Sequence, residues 1–186
     1  MSQRDDLLRG ARQCLAEKGY SRTTARDIAH ASGANLASIG YYFGSKDALL
    51  NAAVLESFDE WGDAVEAAIA DADSDNPLDR LEAFFDHFIA STAQRRTMLV
   101  ASLQAFAEAE FAPEIYAQLR ASHDEGRRSL AALVLNADPS DLTNEDLSVG
   151  FVVLSLINGF ALQWFTSPES APGPAEIARA VRRLVG

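Results

Sequence analysis

The chain has 186 residues, 48% of them hydrophobic, which is enough for one large or two small cores. Its formal net charge of −11 argues at first against a nucleic-acid partner. The charge is unevenly distributed: residues 1–50 contain seven Lys or Arg against five Asp or Glu, whereas the rest contain nine against 22. The slightly basic N-terminal part is therefore where a DNA-binding surface is expected.

Cysteine usage and hydropathy indicate the compartment. The single cysteine, Cys14, excludes an internal disulfide bond and fits a reducing cytoplasm. It lies on the apolar face of the first predicted helix, so we expect it to be buried rather than to act as a redox sensor. The N-terminus does not resemble a signal peptide. The longest apolar run, residues 149–162, contains Ser155 and Asn158 and is too short for a bilayer of ~30 Å, so we expect a soluble cytoplasmic protein.

Apolar residues recur at helical spacing along the chain, and no segment shows the alternation of a strand. Gly and Pro divide this pattern into nine predicted helices: about 3–18, 24–32, 35–43, 45–70, 78–94, 97–109, 113–136, 143–165 and a last one after 174. Residues 71–77 are predicted to form a polar turn. The fold class is therefore all-α, and the uneven charge divides the chain into a head at 1–50 and a body at 51–186.

Residues 24–43 predict two short helices joined by a tight turn, the arrangement of a helix-turn-helix. Thr24 is a suitable N-cap for the first helix and Asn35 for the second, and Gly33 provides the backbone freedom that the turn requires. Ile39 and Phe43, four residues apart, are expected on one buried face. The opposite face carries short or hydroxyl-bearing side chains that suit a DNA groove: Leu36, Ala37, Ser38, Tyr41 and Tyr42.

A dozen or so positions agree in type and spacing with one family: Thr24, Ile28-Ala29, Ser32-Gly33-Ala34, Ile39, Phe43-Gly44-Ser45-Lys46 and Leu49-Leu50. On these residues, segment 5–52 resembles the N-terminal DNA-binding domain of the TetR family of bacterial transcriptional regulators. The resemblance implies a nine-helix homodimer that acts as a repressor and leaves its operator when a small molecule binds. Gly40 departs from the pattern, because the family usually has Tyr there, in the middle of the recognition helix.

Phosphate contacts and base contacts are expected from different residues. The amides at the start of the second helix, beginning with Thr24, form an anion site for a DNA phosphate. Lys46 is one of two lysines in the chain, and the resemblance implies that it binds phosphate; the alternative is an ordinary solvated charge. Arg26 is either a reader of a guanine edge or a member of a surface ion pair.

The second helix of the motif offers few long hydrogen-bond donors. Asn35, Leu36, Ala37 and Ser38 are short, so methyl contacts and DNA shape are expected to carry much of the specificity. One of the two tyrosines, Tyr41 and Tyr42, is expected to reach phosphate, and the other to pack against the first helix.

Aromatic and soft apolar side chains are spread over the predicted helices four to seven. Core packing explains any single one, but together they exceed what a thin bundle needs. We therefore expect some of them to line a cavity for a small apolar or aromatic ligand. The apolar candidates are Phe58, Trp61, Phe84, Phe88, Met98, Phe106 and Tyr116. The polar candidates are Ser102, His123 and Asn158.

The eighth predicted helix is apolar on more faces than one small domain can cover. Pairing this helix and the ninth with their symmetry mates would bury the surplus, as the resemblance also implies. The resulting two-fold dimer would present two heads to a pseudo-palindromic operator. The interface candidates are Val149, Val153, Leu156, Phe160, Trp164, Ile177 and Val181.

We expect no enzyme, cofactor or metal site. The three histidines are far apart in sequence, without a second ligand at metal spacing, and neither a Gly-rich phosphate loop nor a nucleophile motif occurs. Two alternatives stay open: an all-helical protein-interaction module that does not bind DNA, and an activator in place of a repressor.

Overall fold

A computed structural model describes residues 2–70 and 74–185, so the predicted turn at 71–77 lies partly outside the described residues. Within them the chain is helical and contains no strand, which confirms the all-α prediction. The helices are α1 (Gln3–Lys18), α2 (Ala25–Ser32), α3 (Leu36–Phe43), α4 (Lys46–Ala70), α5 (Pro77–Thr92), α6 (Arg96–Ala109), α7 (Pro113–Leu135), α8 (Asn144–Thr166) and α9 (Pro174–Val185). A short 3-10 helix, Pro168–Ser170, lies between α8 and α9.

Side-chain caps determine where α2, α3 and α4 begin. At α2, the amide of Asp27 donates to Thr24 Oγ1 and the amide of Thr24 donates to Asp27 Oδ2, which is a capping box. Asn35 Oδ1 accepts the amide two residues further on at 2.9 Å. Ser45 Oγ accepts the amide three residues further on at 3.0 Å. The predicted N-caps at Thr24, Asn35 and Ser45 are thus confirmed.

Glycines end the two helices of the motif. Gly33 has a φ of 69° and Gly44 a φ of 80°, a region that side-chain-bearing residues rarely adopt. The amide of Gly44 donates to the carbonyl oxygen of Gly40 at 3.1 Å, closing the last turn of α3. The turn predicted at Gly33 and the helix end predicted at Gly44 are confirmed.

Contacts divide the chain into two compact units. The first unit contains the residues up to Trp61 together with Arg95–Ser122, and the second contains Gly62–Gln94 and the residues from His123 onward. By contacts, α6 and the first half of α7 therefore group with the helix-turn-helix. The division into a head at 1–50 and a body at 51–186 concerns function and stays a prediction.

The first unit is built on an apolar core in which α1, α2, α4, α6 and α7 all take part. Leu7, Ile28, Leu50 and Ile115 are fully buried in it. Cys14 is buried in the same core, as predicted, and burial raises the pKa of its thiol. Helices α1 and α2 cross closely at Gly10, where a Cβ atom would lie 2.8 Å from the Cβ atom of Ser32.

The second unit is held by aromatic rings and one close helix crossing. Phe85 and Phe88 of α5 meet Phe160 of α8 with ring centroids 6.4 Å and 5.7 Å apart. Helix α8 passes α7 at Gly150, where a Cβ atom would lie only 1.9 Å from the carbonyl oxygen of Arg127. The backbones of α7 and α8 are therefore in direct contact at this point.

One helix of the described residues, α8, is long and apolar enough by length and composition to cross a membrane. The helix extends beyond the apolar run at 149–162 at both ends, as its predicted bounds of about 143–165 indicate, and one such helix is weak evidence for a membrane span. Only 22% of its most apolar stretch is buried. Its outward side carries Phe151 and Val152, both 56% exposed, and Leu162, 52% exposed.

Candidate DNA-binding surface

The first unit presents one side of α3 to solvent. Leu36 is 45% exposed and Tyr41 is 83% exposed, and Ala37 and Gly40 between them are exposed as well. At 3.6 residues per turn, positions 36, 37, 40 and 41 fall within an arc of about 140°, so they share one side of the helix. Ile39, on the other side, is buried in the core, as predicted. The exposed side of α3, comprising Leu36, Ala37, Gly40 and Tyr41, is named the reading face below.

Phe43 differs from its prediction, because it is only partly buried. Its ring lies at the edge of the core, and the guanidinium carbon of Arg4 sits 5.3 Å from the ring centroid. Arg4, in the first turn of α1, is thereby held against the C-terminal end of α3. Sequence reasoning missed this cation, because no local pattern relates position 4 to position 43.

The two tyrosines of α3 pack against one another. Their ring centroids are 4.8 Å apart and their planes are nearly perpendicular, at 87°. Both side chains are exposed, and Tyr42 is the more covered of the two. Tyr41 is therefore the better placed to reach a phosphate or a base edge, whereas the expected division of roles between the two stays a prediction.

The N-terminus of α2, the predicted phosphate site, is partly filled by its own cap. The Asp27 carboxylate accepts a hydrogen bond from Lys18 Nζ at 2.6 Å and the bonds of the Thr24 capping box. The Lys18 bond, followed by those from Thr24, holds the pKa of the Asp27 carboxyl well below its usual range. The amides of Ala25 and Arg26 have no partner within the helix, so a phosphate here would bind to these two amides.

Lys46 begins α4 directly after the helix-turn-helix. Its Nζ lies 2.8 Å from Asp47 Oδ1 and 5.9 Å from the centroid of the Tyr20 ring. The side chain is 27% exposed, so it is held in place and is not a freely solvated charge. A phosphate contact through Lys46 remains a prediction, and it requires a phosphate to replace or join the Asp47 carboxylate.

Arg26 is exposed at the start of α2. Its expected ion-pair partners have other partners, since Asp27 binds Lys18 and Asp47 binds Lys46. In the part of the chain that the structure describes, no salt bridge involves Arg26. Whether Arg26 reads a base edge or forms an ion pair stays a prediction.

The predicted ligand-pocket residues are divided between the two units. In the first unit are Phe58, Trp61, Met98, Ser102, Phe106 and Tyr116, and in the second are Phe84, Phe88, His123 and Asn158. Phe84 and Phe88 are buried in the aromatic core of the second unit, whereas Phe106, Tyr116 and Asn158 are exposed. Burial, followed by the nearby charge of Arg127, lowers the pKa of His123. A common cavity formed by this set stays a prediction.

A cavity of about 360 Å³ lies within the second unit, between α5, α8, the 3-10 helix and α9. Pockets that bind small molecules have volumes of about 300–1,000 Å³. All its lining side chains are uncharged. The apolar ones are Phe85, Leu156, Phe160, Trp164, Ala171, Pro172 and Ile177, and the polar ones are Gln163, Thr166, Ser167 and Ser170. This cavity suits a neutral aromatic molecule.

The interface candidates of α8 and α9 occupy several environments. Val153 and Phe160 are buried within the second unit. Leu156, Trp164 and Ile177 line the cavity, and Val149 and Val181 are half-buried. The most exposed apolar side chains of α8 are instead Phe151, Val152 and Leu162, which the sequence pattern did not select. Because α8 is apolar nearly all round, its periodicity does not reveal which side faces outward.

Comparison with known proteins places this architecture in a class. The fold and the exposed α3 define a helix-turn-helix regulator, and the family model for bacterial regulatory proteins of the tetR family matches residues 7–53. The model for the C-terminal part of BetI-type transcriptional repressors matches residues 77–186, more than half of the chain. The chain therefore belongs to the TetR family of transcriptional regulators.

Individual relatives agree with this assignment. The HTH-type transcriptional regulator BetI of Stenotrophomonas maltophilia is 33% identical over 122 residues, which are 66% of this chain and 61% of BetI. The HTH-type transcriptional repressor KstR2 of Mycobacterium tuberculosis is 37% identical over 84 residues, which are 45% of this chain and 41% of KstR2. Each match thus spans less than two thirds of the relative's length.

Solved structures share the fold. A TetR transcription regulator from Haloarcula marismortui superposes with a TM-score of 0.64 at 24% identity, covering 96% of this chain and 93% of that one. The multidrug binding protein EbrR, complexed with imidazole, superposes with a TM-score of 0.69 at 19% identity, covering 99% and 95%. At these identities the likeness concerns the fold.

Proposed function

We propose that this protein is a cytoplasmic, homodimeric repressor that binds a pseudo-palindromic operator through α3 and releases it when a small apolar or aromatic molecule binds. The observation that carries the proposal is the reading face of α3. It is exposed and uncharged, and it belongs to a capped helix-turn-helix in a family of transcriptional regulators.

A dimer is supported by the outward side of α8. Phe151, Val152 and Leu162 are each more than half exposed, although the helix that carries them is among the most apolar in the chain. Pairing α8 and α9 with a second copy would cover these side chains. A two-fold dimer would also give two reading faces for successive turns of the major groove. Tight DNA binding is expected to require two heads, because a single head carries only a small positive charge.

Release by a ligand is supported by the relatives and by the cavity. KstR2 is a repressor, and EbrR is a multidrug binding protein whose structure with proflavin has the same fold. The second unit of this chain contains an uncharged cavity of about 360 Å³ with aromatic walls. A neutral or weakly charged aromatic molecule is therefore the class of ligand that we assign.

The test of DNA binding starts with selection of duplexes from a random pool by the full-length protein. Affinity for the selected duplex should fall steeply with salt. Lys46→Ala should weaken binding about equally for all sequences and reduce the salt slope by about one, whereas Arg26→Ala should relax preference at particular base pairs. Arg128→Ala, which removes an exposed charge from the second unit, is the control. A pool without enrichment would favour the protein-interaction module instead.

The test of release uses fluorescence anisotropy of the operator, with proflavin as the first probe. Ser102→Phe fills space among the predicted pocket residues of the first unit, and Ala171→Phe fills the cavity of the second. The variant that blocks release while keeping operator affinity identifies the ligand site. Release that is unaffected in both variants, or absent for every compound of an aromatic panel, would contradict ligand gating by either site.

A further inference from the structure

The side chains of α3 have an unusual composition for a helix that reads bases. Its sequence, Leu36 to Phe43, contains no charged, amide or imidazole side chain. The bidentate contacts that identify guanine and adenine come from Arg, Lys, Asn and Gln. The reading face therefore has no group capable of these contacts.

Asn35, the residue before α3, has an amide side chain, but this side chain is already engaged in capping the helix. Its Oδ1 accepts the amide of Ala37 at 2.9 Å and so holds the first turn of α3. A bidentate contact with adenine requires both the oxygen and the nitrogen of the amide. While it caps α3, Asn35 has its orientation fixed by that bond, which leaves one acceptor site of Oδ1 and the Nδ2 group for a base.

What the reading face offers instead is apolar contact. Leu36 and Ala37 are exposed on the first turn of α3, where recognition helices approach base edges. The one apolar group that bases present in the major groove is the C5 methyl group of thymine. Leu36 and Ala37 are therefore chemically matched to thymine.

Gly40 lies one turn further along the same face. A Cβ atom at Gly40 would meet no heavy atom within 4 Å, so packing within the protein does not require glycine here. Its φ is not in the left-handed region, so the backbone does not require glycine either. A helical glycine destabilises its helix relative to Ala. Neither packing within the protein nor backbone conformation therefore explains the glycine at position 40.

We propose that each operator half-site presents thymine methyl groups to Leu36 and Ala37, and that Gly40 allows α3 to approach the groove closely enough for these short side chains to touch them. The proposal rests on the proposed function, because it assigns a base preference to the same surface. It also explains how a helix without long donors distinguishes sequences.

The test replaces thymidine by deoxyuridine, one position at a time, in the duplex selected from the random pool. This change removes the methyl group and keeps the Watson–Crick hydrogen bonds. At one or more half-site positions, affinity should fall about fourfold per methyl group, the factor expected for burying one such group. In the Leu36→Ala variant, replacing the thymidine that Leu36 contacts by deoxyuridine should cause no further loss of affinity. The same replacement in the flanks is the control.

A second variant tests Gly40. Gly40→Ala should melt at the same or a higher temperature and yet bind the selected duplex at least tenfold more weakly. Gly126→Ala, at a helical glycine that also has nothing within 4 Å, is the matched control and should leave binding unchanged.

The outcomes separate this proposal from the proposed function. If a duplex is selected specifically but no uracil replacement changes affinity more than twofold, or if Gly40→Ala binds as tightly as the original protein, thymine reading is wrong and DNA binding stands. If no duplex is selected at all, both are wrong.

Discussion

The two compact units each combine an apolar core with hydrogen bonds between distant segments, but they differ in what else they carry. In the first unit, Asn51 Nδ2 donates to Gln118 Oε1 at 2.7 Å, and Ser45 Oγ donates to Glu114 at 3.3 Å. In the second unit, Arg80 Nε donates to the carbonyl oxygen of Leu133 at 2.6 Å. Rings of α5 and α8 provide the core of the second unit, and beside them lie a cavity and an uncovered apolar helix side. The first unit carries the reading face, whereas the second carries the cavity and the exposed side of α8 that the proposed ligand and dimer would occupy.

The two units also share a structural feature, because in each of them two helices cross closely at a glycine. At Gly10 the nearest atoms belong to Ser32, at 2.8 Å and 2.9 Å, and one of them is a side-chain atom. At Gly150 the nearest atoms are the carbonyl oxygen and carbon of Arg127, at 1.9 Å and 2.8 Å, and both belong to the backbone. Ser32 Cβ is fixed to its backbone, so neither crossing can accept a methyl group by a rotamer change. The overlap is deeper at Gly150 than at Gly10, so the Gly150 crossing should tolerate a methyl group less well.

The largest effect is expected for Gly150→Ala. The added methyl group would overlap the Arg127 carbonyl and force α7 and α8 apart, which should lower the free energy of unfolding by about 3 kcal/mol or more. Urea unfolding followed by circular dichroism measures it. Gly126→Ala, a change to an open helical position, should be neutral or stabilising by about 0.5–1 kcal/mol. Equal midpoints for Gly150→Ala and the original protein would refute the close crossing.

For Gly10→Ala we expect a smaller decrease in the free energy of unfolding, about 2 kcal/mol. The methyl group would press on Ser32 at the end of α2, and this short helix can shift by a few tenths of an ångström. Because α2 supports α3, operator affinity should fall together with stability. A variant that unfolds earlier but binds the operator as before would show that the α1–α2 crossing does not position the reading face.

Local features of this fold were predictable and distant ones were not. Thr24, Asn35 and Gly33 act on amides or turns within a few residues of themselves, so their roles follow from residue type and spacing. The contact of Arg4 with Phe43 joins positions far apart in the chain, and nothing near either one indicates it.

The interface side of α8 and the ligand site were also hard to predict, because they too depend on contacts between distant segments. Because α8 is apolar on nearly every side, periodicity cannot distinguish buried Val153 from exposed Val152. The cavity of the second unit depends on how the segment after α8 folds back, which the helical pattern does not contain.

The reading face was predictable in part, because buried Ile39 fixes the orientation of a short helix. Leu36, Ala37 and Tyr41 are exposed as predicted, whereas Ser38 is half-buried and Gly40 was not selected.

The polar contacts of the first unit predict a moderate effect for Gln118→Ala. Asn51 is fully buried, and removing its acceptor would leave Nδ2 without a partner, at a loss of about 1–2 kcal/mol in the free energy of unfolding. Gln118→Glu keeps an acceptor for Asn51 but loses the bond from Gln118 Nε2 to the carbonyl oxygen of Ala48, so it should recover only part of the loss. If the two variants unfold at the same urea concentration, the Asn51–Gln118 bond does not contribute to stability.

The smallest effect concerns pH and the ion pair between α1 and α2. The pKa of Asp27 is lowered by Lys18 and then by Thr24, and the pKa of Lys18 is raised by Asp27. The Asp27 contribution to stability is therefore present above the ordinary Asp pKa of about 3.9 and is lost as the pH falls below it. The Lys18 contribution is lost only above the ordinary Lys pKa of about 10.4.

Asp27→Asn removes this pair and keeps an oxygen that can accept the amide of Thr24, so the cap is retained while the charge is lost. Between pH 5 and 2, thermal unfolding of the variant should depend less on pH than that of the original protein, and 0.5 M salt should reduce the difference because both side chains are partly exposed. Asp5 and Asp146, which also cap helices and have lowered pKa values, titrate in both proteins and cancel in the comparison. Parallel curves at low salt would mean that the Thr24 cap alone, without the Lys18–Asp27 pair, holds the start of α2.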